Sequence, residues 1–260
     1  MNIAALLGFI LCFALLLSAI ATNGGLGSAL QFIHLPSMLV TFGGSFCALM
    51  ITADTMADYL DGLRGFGAAF KKVKVSVDDI SHQILEVADL ARKDGLLALE
   101  EYGDQIEDEF MKKGVSLIVD GTEPELVKDI LENDMIHKVE RNKKQVKFWQ
   151  DLGSYGPAWG MLGTLIGLIN MMRSMGSDAS AIGAGMSLAL ITTLYGSLLA
   201  NWVCIPLSRK LEKSSEAQEL AMELIIEGIL SIQAGENPHI IREKLRSFRE
   251  NNTALEEEAA

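Results

Sequence analysis

Thr164 and Thr193 are the side chains in this 260-residue sequence best placed for chemistry without charge. Thr164 lies in Pro157-Ala-Trp-Gly-Met-Leu-Gly-Thr164-Leu-Ile-Gly167, and Thr193 in Ile191-Thr192-Thr193-Leu-Tyr-Gly196. The surrounding apolar stretches, 152–172 and 181–207, contain no Asp, Glu, Lys, Arg or His. A hydroxyl oxygen in such a setting can bind a small hard cation or order water along its path. It can also bond a backbone carbonyl and serve packing alone. Spacing leaves both roles open. Without a carboxylate, two such helices can line an ion path but cannot carry an ion on their own charge. Either no coupled ion flow occurs, or a partner supplies the Asp or Glu.

The elements around these hydroxyls read as close-packed membrane helices. Helices in lipid associate by close approach, which needs small residues. Gly156, Gly160, Thr164 and Gly167 follow i+4 and i+3 spacing, as do Gly185, Ala189, Thr193, Gly196 and Ala200. This predicts Thr164 and Thr193 on the packed faces, with Thr192 about 100° round the helix from Thr193. Thr192 is a third candidate for the same path. Pro157 and Pro206 deprive the carbonyls of Gly153 and Trp202 of helical partners. They are candidates for a kink, hinge or ion exit at one end of the two spans.

Composition agrees with a membrane protein carrying an aqueous part. About half the residues are hydrophobic (49%), yet the formal net charge is -12. The acidic balance argues against nucleic acid as a partner. Cys12, Cys47 and Cys204 lie in apolar runs without pairing or metal-ligand spacing. Four stretches, 3–22, 35–53, 152–172 and 181–207, approach the roughly 20 residues a bilayer needs. The first lacks a basic leader and is expected to stay as a span, not to be cleaved. Lys71, Lys72 and Lys74, the run from Lys138 to Lys147, and Arg209 with Lys210 place one side of the membrane by the positive-inside rule. Both termini and residues 54–151 are then cytoplasmic, with membrane lipid as the surrounding solvent.

The expected fold is an all-α integral membrane protein. Spans 1 and 2 occupy 1–53. A helical cytoplasmic segment, with a possible interfacial helix, follows over 54–150. Pore-lining spans 3 and 4 occupy 151–208, and cytoplasmic helices with an acidic tail occupy 209–260. Met56, Leu60, Leu63, Phe66 and Phe70 form a helical stripe suited to a membrane interface or to packing on the cytoplasmic segment. Ile80, Ile84, Val87 and Ala91 form another. Thr122 is a candidate cap for a long helix beginning at Pro124. Asn237 and Pro238 open a last helix after Gly235. No nucleophile–base pair, carboxylate dyad or metal-ligand spacing is present, and His34, His82, His137 and His239 stand apart. An enzyme, a cofactor and a resident metal are therefore not expected.

The sequence resembles the MotA/PomA family of flagellar motor stator A subunits over nearly its whole length. The resemblance rests on Ala91-Arg-Lys-Asp-Gly-Leu-Leu-Ala-Leu-Glu100, Pro157-Ala-Trp-Gly-Met-Leu-Gly-Thr164, Thr192-Thr-Leu-Tyr-Gly196, Pro206 and Gly235-Glu-Asn-Pro238. It implies a pentamer of this chain around a dimer of a B subunit, whose single span supplies the ion-binding aspartate. It implies that cation flow through the inner membrane turns the ring and drives a rotor switch protein. Arg92 and Glu100 match the family's rotor-contact charges. Eight residues apart, they share a broad helix face if Gly95 does not break the helix. Threonines matching Thr164 and Thr193 are found in sodium-type members, so the resemblance favours sodium over protons as the transported ion. The alternative is an ExbB/TolQ-type proton-driven energiser of outer-membrane processes. That type has three spans and an outward N-terminus, unlike the arrangement read here.

Overall fold

The computed structural model describes residues 3–24, 30–70, 77–174 and 179–247, and every regular element among them is helical. Lys71, Lys72, Lys74 and the tail after Asn251 lie outside the described residues. The order is α1 (Ile3–Gly24), α2 (Leu35–Met38), a π-helical turn (Leu39–Gly43), α3 (Gly44–Thr52) and α4 (Met56–Phe70). Next come α5 (Val77–Asp94), a 3-10 turn (Leu96–Ala98), α6 (Leu99–Gly103), α7 (Glu109–Val119) and α8 (Pro124–Ser174). The chain ends with α9 (Ala179–Leu198), a second π-helical turn (Leu199–Cys204), α10 (Ile205–Gln233) and α11 over 238–247. Among the described residues, Leu35–Thr52 and Ile182–Gln233 are long and apolar enough to cross a bilayer, and Leu6–Thr22 is apolar but shorter. The stretch 152–172 is the final part of α8.

The chain forms two compact units, one from 1–72 with 142–213 and one from 73–141 with 214–260. In the first, Phe148, Trp149 and Leu152 pack with Leu49, Leu207 and Leu211. α4 belongs to this unit. Its most buried residues are Gly62, Gly65 and Ala69, with Leu63 and Phe70 of the apolar stripe half-buried beside them. The Phe148 ring lies against Gly62, and the Trp149 indole donates to the Gly62 carbonyl at 3.1 Å. Bare backbone lets flat rings lie closer than a Leu or Phe face would. Met56, Leu60 and Phe66 consequently point outward, 53%, 49% and 40% exposed. Leu63 and Phe70 of the same stripe pack against the Phe148–Trp149 cluster, and the Phe66 ring lies 6.0 Å from that of Trp149.

The second unit has an aliphatic core. Ile84, Val87, Met111, Leu131, Leu224 and Ile229 are completely buried. Its helices end on left-handed glycines. Gly121 (φ 73°) closes α7, with the Thr122 amide donating to the Leu117 carbonyl. Gly235 (φ 69°) closes α10 through the Glu236 amide and the Ser231 carbonyl. Both are Schellman closures, which need positive φ and so favour glycine. Thr122 thus ends α7 instead of capping α8. Glu123 holds the cap position, its carbonyl accepting from the Val127 amide at 2.9 Å. Asn237 caps α11 as expected, its Oδ1 accepting from the His239 amide at 3.0 Å.

Candidate functional site

α8 and α9 meet along a seam of glycine. An added Cβ at Gly156 would lie 3.1 Å from the Gly196 carbonyl oxygen, and one at Gly160 2.9 Å from that of Thr192. One at Gly163 would strike the Thr192 side chain at 2.5 Å, and one at Gly167 the Gly185 carbonyl at 2.6 Å. The seam therefore runs Gly156, Gly160, Gly163, Gly167 on α8 and Gly185, Ala189, Thr192, Gly196 on α9. Each side keeps a 4-3-4 spacing, but one residue away from the threonines expected on it. Ala189 is 3% exposed and Thr192 fully buried. Thr193 is exposed and Thr164 half-buried. Hence Thr192 is the sealed hydroxyl, while Thr164 and Thr193 sit at the open edge.

The two edge hydroxyls touch, with oxygens 2.5 Å apart. Thr164 Oγ1 also lies 3.0 Å from the Gly160 carbonyl and 3.1 Å from that of Ala189. Thr193 Oγ1 reaches the Ala189 carbonyl at 3.2 Å. Each hydroxyl has one proton to give and two lone pairs to receive. One proton bridges the two oxygens and the other goes to a backbone carbonyl, which leaves acceptor capacity on both oxygens. Thr192 Oγ1 spends its proton on Leu188 or Ala189, at 2.9 and 3.0 Å. The backbone bonds expected of packing threonines are present, yet the Thr164–Thr193 pair also keeps unused oxygen lone pairs at a partly exposed position. Two oxygens do not complete a cation's shell, so further ligands must come from water or another chain.

Pro157 lies inside continuous α8, and Pro206 at the second position of α10. Both are exposed. The π-helical turn Leu199–Cys204 lies directly before Pro206, and the Ile205 amide donates five residues back to Ala200. That longer spacing absorbs part of the ladder proline interrupts. Ser37, Thr41 and Ser45 were missed by the reading of the two threonine spans. All three are completely buried, and Thr41 Oγ1 lies 3.4 Å from the Thr192 carbonyl. Their i+4 spacing was the available signal, since it is the small-residue rule applied to the second span. His34 caps α2 through Nδ1 and the Ser37 amide at 3.3 Å.

Arg92 and Glu100 do not share a helix. Gly95 (φ 85°) ends α5 after Asp94, and Glu100 lies on α6. Both side chains are exposed, and neither forms an ion pair within the described residues. Their placement relative to one another is therefore set by the turn through Leu96–Ala98.

The chain matches the MotA/TolQ/ExbB proton channel family over residues 102–224. It is 39% identical over 247 residues to motility protein A of Treponema phagedenis, covering 94% of this chain and 93% of that one. It belongs to the MotA/PomA family of flagellar stator A subunits. Chemotaxis protein PomA of Vibrio alginolyticus is 37% identical, with 98% of this chain and 99% of that one covered. A solved structure of C. jejuni MotAB matches with a TM-score of 0.85 at 28% identity, over 95% of this chain and 96% of that one. The MotA family is one of stator ion-channel subunits, not of enzymes.

Proposed function

We propose that this chain is the A subunit of a sodium-driven flagellar stator. It spans the inner membrane four times with both termini in the cytoplasm. Five copies surround a B-subunit dimer that contributes the aspartate. Thr164 and Thr193 help ligate the passing cation, Thr192 seals the helix pair behind them, and Pro157 and Pro206 shape the path. Arg92 and Glu100 meet the rotor switch protein, where surface charge governs steering and specificity more than stability. One charge crossing 100 mV releases about 2.3 kcal/mol, so a turn of the ring draws on many ions.

The observation that carries this reading is the Thr164–Thr193 oxygen pair, partly open to solvent and without a carboxylate in either surrounding stretch. The test is swimming speed against external sodium, at fixed membrane potential and pH, in cells whose only stator is this subunit with its B partner. Speed is expected to rise with sodium and saturate. Thr193→Ala is expected to abolish that dependence while the complex still assembles, and Thr192→Val to preserve it. Motility indifferent to sodium but stopped by a protonophore would make protons the fuel.

A further inference from the structure

An apolar pocket of about 610 Å³ lies within the first unit, walled by α1, α4, the end of α9, the π-helical turn before α10 and the start of α10. Its volume falls in the range typical of ligand sites, roughly 300–1,000 Å³. Phe9 and Phe13 stack on Trp202 with ring centroids 4.6 and 5.4 Å apart, and Phe9 meets Phe70 edge-on at 6.0 Å. The polar groups of this wall are mostly satisfied within the chain. Trp202 Nε1 donates to the Phe9 carbonyl at 3.3 Å, and the Asn201 amide to the Ser197 carbonyl at 3.0 Å.

Lys210 differs. It lines the same pocket, and its Nζ is buried without a hydrogen-bond partner. Part of its stem is exposed, but the nitrogen itself is covered, 6.0 Å from the Phe70 ring centre. That distance is at the outer limit of a cation–π contact, which compensates an ammonium only weakly. Burial pushes the lysine pKa below its ordinary value, as expected for a cation lacking a counter-ion. A long flexible stem allows the ammonium to turn from the ring toward an anion at the pocket mouth.

We infer that this pocket binds one anionic phospholipid, an acyl chain against Phe9, Phe13 and Trp202 and the phosphate on Lys210. The wall asks for an apolar tail, and the single unpaired cation asks for a negative head. The surroundings suit that source: Leu7, Leu11 and Leu15 of α1 are 61%, 60% and 61% exposed, and Phe66 of α4 is 40% exposed. These faces would meet lipid in a membrane-embedded chain. The inference rests on the membrane reading above but not on the identity of the ion.

The test is native mass spectrometry of the full chain with its B partner, extracted from membranes and offered phosphatidylglycerol or phosphatidylcholine with identical acyl chains. The wild type is expected to retain the anionic lipid preferentially, roughly five-fold for one lysine–phosphate contact. Lys210→Met should reduce that preference to parity, and Lys210→Arg should keep it. Cys12→Phe, which fills the pocket and spares the charge, should lower retention of both lipids. Equal retention by the wild type, or an unchanged preference in Lys210→Met, overturns the site. Cross-linking of Cys12 to a neighbouring copy, with no lipid carried, overturns it in favour of a second chain as occupant. Recovery of the chain outside the membrane fraction would sink the membrane reading itself, whereas membrane recovery with equal retention sinks only the pocket.

Discussion

In the first unit, a Cβ added at Gly167 would lie 2.6 Å from the Gly185 carbonyl and 2.7 Å from the Ala189 amide nitrogen. In the second unit, one added at Gly114 would meet Ile229 Cγ1 at 2.9 Å and its Cδ1 at 3.3 Å. The first glycine touches backbone, and the second touches a side chain that can turn. That difference follows the chemistry of the two units. The α8–α9 seam is built by close approach of backbones across small, uncharged residues, the packing mode that serves helices in lipid. The second unit gains its stability by removing Ile, Leu, Val and Met from water.

Gly167→Val should produce the largest effect, because two helix backbones must separate to admit it. Loss of the assembled membrane complex on native gels, and of motility, is the expected outcome. Normal assembly would show that the seam tolerates separation and would erase the contrast. Leu224→Ala tests the other side: a completely buried Leu should cost about 2–5 kcal/mol. Denaturant titration of the full chain, followed by hydrogen exchange at second-unit amides, would measure it. Gly114→Ala should cost less, about 1–3 kcal/mol, with Ile229 rotating to make room. A cost as large as that of Gly167→Val would mean the second core is equally unforgiving.

Smaller effects come from charge in the second unit. Lys244 Nζ lies 2.8 Å from Glu236, 3.3 Å from Glu227 and 3.3 Å from Ser231. Hydrogen bonding to Lys244 holds the Glu236 carboxyl below its usual range, and hydrogen bonding to Glu236 raises the Lys244 ammonium above its own. The lowered acid stabilises the fold above its unfolded pKa and loses that contribution as pH falls through the folded value. The raised lysine stabilises below its unfolded pKa and loses that contribution as pH rises through the folded value. Lys244→Met should cost no more than about 1 kcal/mol near neutrality, given partial solvent screening. The difference from wild type should fade at both pH extremes, as thermal melts across pH would show.

Glu223 has the opposite sign. Burial, then the neighbouring Glu219, raises its carboxyl pKa. The ionised form is therefore a net penalty at neutral pH, and protonation relieves it as pH falls toward the unfolded value. Glu223 is solvent-exposed on its outer side, so screening keeps the penalty small, and Glu223→Gln should raise stability by under about 0.5 kcal/mol near pH 7. The gain should vanish once wild-type Glu223 is protonated, and a gain persisting at acid pH would point to packing.

The site was half legible in the sequence. The charge-free stretches, the small residues and the two threonines could be read directly. Their faces could not. Stripes through Thr164 and Gly163, or through Thr193 and Thr192, are offset by one residue and are both rich in small side chains. Spacing alone cannot choose between them. On α4, spacing left the Met56–Phe70 stripe open between a membrane interface and packing, and did not single out Gly62 and Gly65, which take the closest approach of Phe148 and Trp149. The Arg92–Glu100 helix was conditional on Gly95, and the positive φ there breaks it.

Residue type by itself determined the helical content, the Gly235 closure, the Asn237 cap and the lack of a carboxylate in 152–172 and 181–207. These are local matters, set within a turn or two of chain or by composition. Tertiary structure decided which of two adjacent threonines is sealed and which is open. Rotation of a helix about its axis is set by how closely the next backbone can approach, and that distance is not a property of either sequence segment alone.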